Sequence, residues 1–129
     1  MKIAVARKGS STAVAHFGRA DNFQVFEVGE DDSITIKLFE TRPTRVPCST
    51  VDHDLDALKK SAETIQDCGA VIASGIGPAA IDILATLHIY PYLLQSGEEK
   101  DLADSIVRIR ARLLKNRQIK NNFRNIYAR

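Results

Sequence analysis

The apolar positions of this 129-residue chain fall into two periods, and the order in which they alternate predicts the architecture. "KIAVA" (2–6) is a short, continuous, β-leaning run, the pattern of a buried strand. "FQVFEV" (23–28) alternates: Phe23, Val25 and either Phe26 or Val28 compete for the inner face. "ITIKLF" (34–39) alternates cleanly and puts Ile34, Ile36 and Leu38 on one face. The turn "GEDDS" between these two runs makes them a hairpin. Three antiparallel neighbours are therefore expected at the start of the chain.

Helical spacing follows the proline-containing loop "ETRPTRVPCST" (40–50). Val51, Leu55, Leu58, Ala62 and Ile65 form one stripe, with Thr50 or Asp52 placed to cap its start and Gly69 its end. "AVIA" (70–73) reads as a buried strand. "AAIDILATLH" (79–88) reads as a helix with Pro78 suited to its first turn. "IYPYLL" (89–94) is the last strand, with Pro91 marking an edge or a strand end. A final helix covers "SGEEKDLADSIVRIRARLLKNR", with Leu102, Ile106, Ile109 and Leu113 in register. The order is β-β-β-α-β-α-β-α, with a parallel, right-handed crossover in the second half. This predicts an α/β domain with a mixed sheet of about five strands and flanking helices. Residues 116–129 place Ile119, Phe123 and Ile126 at helical spacing among polar and basic residues. They read either as a frayed tail or as a helix that needs a partner, so the chain divides into a domain at 1–115 and a basic tail at 116–129.

Composition changes little: 44% hydrophobic and 26% charged residues suit one ordinary globular domain. No apolar run approaches the ~20 residues that span a bilayer. The start has too short an apolar core for a signal peptide. A cytoplasmic protein without membrane association is expected, and Cys48 and Cys68 then read as free thiols or ligands. Charge matters more. From Arg108 onward there are eight bases and no acid, whereas residues 1–107 carry a net charge of −6. The tail has two aromatics and no recognisable binding module, so nucleic acid is not an expected partner.

Candidate chemistry gathers at a few points. His16, Cys48, His53 and Cys68 are soft or borderline donors, but none has the spacing of a closed zinc site. Cys68, beside a buried strand, reads as an inert thiol, and His88 as a capping residue at a helix end. Cys48 and His53 lie in a loop and at a helix start, where a side chain can face a ligand. "SGIGP" (74–78) lacks the third glycine of a dinucleotide fingerprint. It is either a tight strand-to-helix turn or an anion site made by backbone N–H groups. Asp52 and Asp56 share a helix face near its start, where acids also suit the helix dipole.

"MKIAVA", "HFGRADNFQVFEV" and "DCGAVIASGIGPAAIDIL" together resemble the dinitrogenase iron-molybdenum cofactor biosynthesis family, which includes the NifX and NafY carriers and the C-terminal domain of NifB. The resemblance covers roughly residues 1–107. It implies a ribonuclease-H-like fold and a non-enzymatic carrier of an iron–sulfur or iron–molybdenum cluster, with cofactor-synthesis or nitrogenase proteins as partners. His16 is then a cluster-ligand candidate. Cys48 is a second metal donor and His53 a neighbour in the loop. Arg19, and with it Arg45, supplies charge, and Gly75 and Gly77 supply N–H groups. The radical-SAM cysteine motif of full NifB is absent, and the acids form no nuclease set. Two rival readings stand beside it: a regulatory or interaction module of the same fold that binds no cluster, and a small-ligand or nucleotide binder that uses "SGIGP".

Overall fold

A computed structural model describes residues 1–44, 55–94 and 99–127. Its elements are β1 (Lys2–Arg7), a 3-10 turn (Phe17–Arg19), β2 (Asn22–Val28), β3 (Ile36–Pro43), α1 (Leu55–Thr64), β4 (Ala70–Ala73), α2 (Pro78–Thr86), β5 (Tyr90–Leu93) and α3 (Glu99–Tyr127). The five strands form one sheet in the order β3-β2-β1-β4-β5. β2 is antiparallel to both β1 and β3. β4 is parallel to both β1 and β5. The hairpin and the parallel half predicted from the alternation are both present.

Both faces of the sheet are covered. Ala4, Ala6, Phe23, Val25, Val71 and Ala73 face α1 and α2. Ile3, Val5, Val28, Ala70 and Ile72 face α3. A sheet covered on both sides buries both phases of an alternating strand, so Phe23 and Val25 take one face and Phe26 and Val28 the other. β3 does not follow its prediction. It runs over Ile36–Pro43 at the sheet edge, so Ile34 precedes it; Ile34, Leu38 and Phe39 are about half exposed and Ile36 is partly buried against the α3-side core. Phe26 pairs with Leu38 but Val25 pairs with Glu40, so Phe39 is the extra residue of a bulge. A bulge twists an edge strand away from further pairing.

α1 buries Ala57, Leu58, Ser61 and Ala62, while Leu55 is 63% exposed, so the apolar stripe starts later than its spacing suggests. Val51 and the predicted caps Thr50 and Asp52 lie outside the described residues. Gly69 is not the cap of α1, which ends at Thr64. Its N–H instead bonds the Lys2 carbonyl at 2.9 Å, and a Cβ there would meet Leu113 of α3 at 3.0 Å. A side chain at Gly69 would therefore have to push the end of Leu113 aside by a few tenths of an ångström.

α2 does end in a cap. The N–H of Ile89 bonds the Leu84 carbonyl at 2.9 Å, and that of His88 bonds the Ala85 carbonyl at 3.1 Å. This is the Schellman pair, and Leu84 and Ile89 are both buried, which supplies its apolar contact. His88 occupies the left-handed position, φ 59°. A Cβ there costs about 1–2 kcal/mol, partly offset in glycine by its larger unfolded-state entropy. His88→Gly is thus expected to stabilise the fold by about 0.5–1 kcal/mol, read as a higher urea midpoint at unchanged slope.

α3 crosses position 115 without a break and continues to Tyr127. Leu102, Ile106 and Ile109 are buried, and Leu113 packs against the same cluster. Two of its bases fasten the β2–β3 turn. Arg110 Nε donates to the Gly29 carbonyl at 2.6 Å and its other arm reaches the Asp31 carbonyl. Arg117 pairs with Glu30 at 2.6 Å and holds that carboxyl below its usual range. The basic end of the chain and the acidic turn are thus partly each other's partners.

Candidate functional site

The connection from β1 to β2 is long but tightly held. Gly9 takes the left-handed conformation, φ 58°, and both Asp21 carboxylate oxygens accept its N–H, at 2.9 and 3.0 Å. That bond, then one from the Asn22 amide, holds the Asp21 carboxyl below its usual range. Arg7, 7% exposed, donates from Nε to Gln24 at 2.8 Å and from Nη1 to the Thr12 carbonyl. Val14 then enters the α3-side core, and Phe17 enters the other. His16 sits between these two anchors.

The His16 segment lies alongside "SGIG" at the C-terminal ends of the central strands. Ser74 N–H bonds the Ala15 carbonyl and Phe17 N–H bonds the Gly75 carbonyl, both at 2.9 Å. His16 caps the 3-10 turn, with its Nδ1 accepting from Gly18 N–H at 3.2 Å. A ring nitrogen that accepts has no proton, so the neutral imidazole carries its proton on Nε2. The opposite ring edge rests on Gly75, where an ideal Cβ would lie 2.5 Å from Cδ2 and 3.0 Å from Nε2. Gly18 is buried with a negative φ, so the connection's left-handed residue is Gly9 and not the glycine of "HFG".

His16 and Gly18 form one wall of a shallow cavity of about 210 Å³. Leu58 of α1 and the start of α2, Gly77 to Ala80, form the rest. Gly77 is the N-cap of α2 and makes no side-chain bond to it, and Pro78 follows as its first residue. The first-turn amides of an uncapped helix carry partial positive charge, which suits an anion.

Of the residues singled out by sequence, the fold brings His16, Gly75 and Gly77 together. Arg19 is exposed at the end of the 3-10 turn and does not line the cavity. Arg45, Cys48 and His53 lie outside the described residues, as does Asp52, while Asp56 is exposed in the first turn of α1. Among the described residues no three His, Cys, Asp or Glu side chains converge as a metal site. Cys68 is 3% exposed, and burial, then the nearby Asp67 carboxylate, pushes its thiol up to about 12. It is the inert thiol its position suggests, at the other end of β4 from the cavity. Beside it, Asp67 is held well below the carboxylate range by the two-armed Arg42 bond. Arg7 and Asp21, which hold the His16 loop, were not singled out by sequence. Asp21 was legible in principle, as an acid next to a strand start facing a glycine-containing turn.

The fold and this loop define an α/β domain that presents one histidine beside a helix start. The chain belongs to the dinitrogenase iron-molybdenum cofactor family, whose model matches residues 1–111. It is 34% identical over 119 residues to the FeMo cofactor biosynthesis protein NifB of Frankia alni, covering 89% of this chain and 22% of that one. Against NifB of Herbaspirillum seropedicae it is 34% identical over 89 residues, 69% of this chain and 16% of that protein. The chain thus spans about a fifth of the curated relatives it matches. Among solved structures, PH0822 superposes with a TM-score of 0.52 at 23% identity, covering 72% of this chain and 78% of that one. The apo form of the orange protein from Desulfovibrio gigas gives 0.50 at 20% identity, covering 70% and 72%. These two likenesses concern the fold. No helix among the described residues is long and apolar enough to cross a membrane.

Proposed function

We propose that this chain binds and carries an anionic iron–sulfur or iron–molybdenum cluster, or a precursor of one, in nitrogenase cofactor biosynthesis, and catalyses no reaction itself. The observation that carries this reading is the placement of His16: clamped between Gly18 and Gly75, at a cavity whose far wall is an uncapped helix start. Family membership and the NifB relatives support the pathway. Cofactor-synthesis or nitrogenase proteins would deliver and receive the cargo. The sheet order β3-β2-β1-β4-β5 supports the ribonuclease-H-like assignment.

A metal–sulfur anion suits this site in two ways. The helix start favours negative charge, and His16 offers a borderline donor. Nδ1 accepts the Gly18 bond, which in the neutral ring leaves the proton to Nε2. Coordination through Nδ1 replaces that bond directly. Coordination through Nε2 moves the ring proton to Nδ1, which then repels the Gly18 N–H. Either route would break the same hydrogen bond, which loading would have to offset. Cys48 is the proposed second donor, with His53 as a further donor and Arg19 as a source of positive charge outside the cavity lining.

Anaerobic reconstitution with iron and sulfide, followed by visible absorption and metal per chain, tests this. Stoichiometric uptake is expected for the wild type. His16→Ala should weaken it by at least about tenfold, and Cys48→Ala should also reduce it. The Gly18 amide resonance should shift on loading. No uptake by folded wild type, or full uptake by both single variants and the double variant, would overturn the carrier. The interaction module would then be favoured, with the extension of α3 to Tyr127 as its docking segment.

A further inference from the structure

The flank of α3 that faces β5 carries chemistry the cluster reading does not use. Arg108, Arg112 and Lys115, at i, i+4 and i+7, share one helix face and are all exposed. With Ala111 and Ile109 they line a cleft of about 360 Å³ whose other wall is Tyr90 and Tyr92 of β5. The tyrosines are two residues apart on an edge strand, so both point to the α3 side, and both are half-buried there. Arg112 already rests on the Tyr90 ring, 4.9 Å from its centroid. No acid lines the cleft. Asp104, one turn before Arg108, is the near acid on the helix, and among the described residues none of the three bases is in an ion pair with it or with another carboxylate. Arg110 and Arg117, by contrast, are committed to the acidic turn.

We propose that this cleft binds nucleotides, with phosphate on Arg108, Arg112 and Lys115 and a base stacked at the Tyr90–Tyr92 wall. Three cations along one helix face, none with a carboxylate partner among the described residues, follow a phosphate backbone or a polyphosphate. Arg112 already lies over Tyr90, and with Tyr92 beside it the wall offers a stacking surface that a purely acidic peptide would leave unused and a base would use. Ala111, at the middle of the helix face, leaves room for the ligand to approach the backbone. The composition of the basic tail alone hides this, because the aromatic partners come from a strand far from it in sequence. The ligand is either a free nucleotide or a single strand, which share this chemistry. The cleft lies on the α3 face at the sheet edge, away from His16, and the proposal stands independently of the carrier reading.

Fluorescence anisotropy of a short labelled oligothymidylate, with AMP and ATP as competitors, tests it on the full chain. The expected result is saturable binding whose log affinity falls with log salt at a slope of about −2, three contacts on a single strand. If ATP competes at concentrations where AMP does not, the ligand is a free polyphosphate nucleotide; if neither competes, it is a strand. Both support the cleft. Arg108→Gln with Arg112→Gln, exposed changes that leave the fold intact by circular dichroism, should flatten the slope by about 1.4. Tyr92→Leu should weaken binding about tenfold, while His16→Ala leaves it unchanged. Equal binding of an abasic strand or of polyglutamate would overturn the proposal, as would no binding of strand or nucleotide.

Discussion

Replacing Gly75 by alanine is expected to remove most cluster uptake while leaving a folded protein. The added methyl would sit 2.5 Å from His16 Cδ2 and 3.0 Å from Nε2. The backbone on either side of this contact does not yield easily. The Phe17 N–H bonds the Gly75 carbonyl at 2.9 Å, which fixes the distance between the two segments. The Gly18 bond to Nδ1 holds the ring from its other edge. The least costly relief is for the half-buried ring to swing out and give up the Gly18 bond. Overpacking of this kind costs about 1–3 kcal/mol, and the low end is expected because the ring can move toward solvent. Uptake should fall as far as in His16→Ala, at least about tenfold. Gly77→Ala is the matched control. A Cβ there meets nothing within 4 Å, and its φ of −71° suits any residue. It should cost less than about 1 kcal/mol and keep uptake. Thermal melts and reconstituted absorbance of the two variants decide the matter. A Gly75→Ala protein that loads like wild type would mean that the seat of the His16 ring on Gly75 is not needed for uptake.

This contrast between two glycines of one motif shows where sequence reading stops. "SGIGP" offers both as N–H donors at a helix start. The fold gives them different tasks, because Gly75 faces a ring brought from another part of the chain and Gly77 faces open space. The same limit explains the other differences. The β3 alternation predicts an inner face, but an edge strand with a bulge at Phe39 has no layer over most of its length. Gly69 follows a helix in sequence, yet its constraint comes from Leu113 on the last helix. His88 does cap its helix, although through its backbone and a left-handed φ.

What periodicity and turn chemistry determine locally was legible. The element order, the antiparallel-then-parallel sheet, the edge position of β5 with Pro91 and the register of α3 follow from spacing and from where glycine and proline fall. The segment "HFGRADNFQVFEV" could be located and its histidine singled out as a ligand candidate. The lock on that loop could not, because it depends on Arg7 reaching Gln24 and Thr12, and on Asp21 meeting Gly9. Those contacts exist only once β1 and β2 pair, with Arg7 opposite Asn22. Charge gave half an answer: the basic end was visible, but its division between the acidic turn and the tyrosine cleft follows from the rotation of α3.

The largest loss of stability is expected from Phe17→Ala. Phe17 is 1% exposed and lies among the largest fully buried side chains. Its ring packs on Phe23 at 5.8 Å between centroids, in the core beneath α1 and α2. Truncating a buried phenylalanine costs about 3–5 kcal/mol, against a total of about 5–15 kcal/mol for an ordinary domain. The effect reaches beyond packing, because Phe17 lies between the two ends of the His16–Gly18 bond. With the ring gone, the 3-10 turn is held by the Gly75 carbonyl and by its own cap. Urea denaturation should show the stability loss, and hydrogen exchange should show the Gly18 amide losing more protection than amides in β4. Phe17→Leu fills part of the same volume and should cost less than half as much, with Gly18 protection largely kept. A Phe17→Ala cost below about 1 kcal/mol, the level of an ordinary surface change, would mean that the phenylalanine does not anchor the loop. The position of His16 would then rest on Gly75 and on the Arg7 and Asp21 contacts alone.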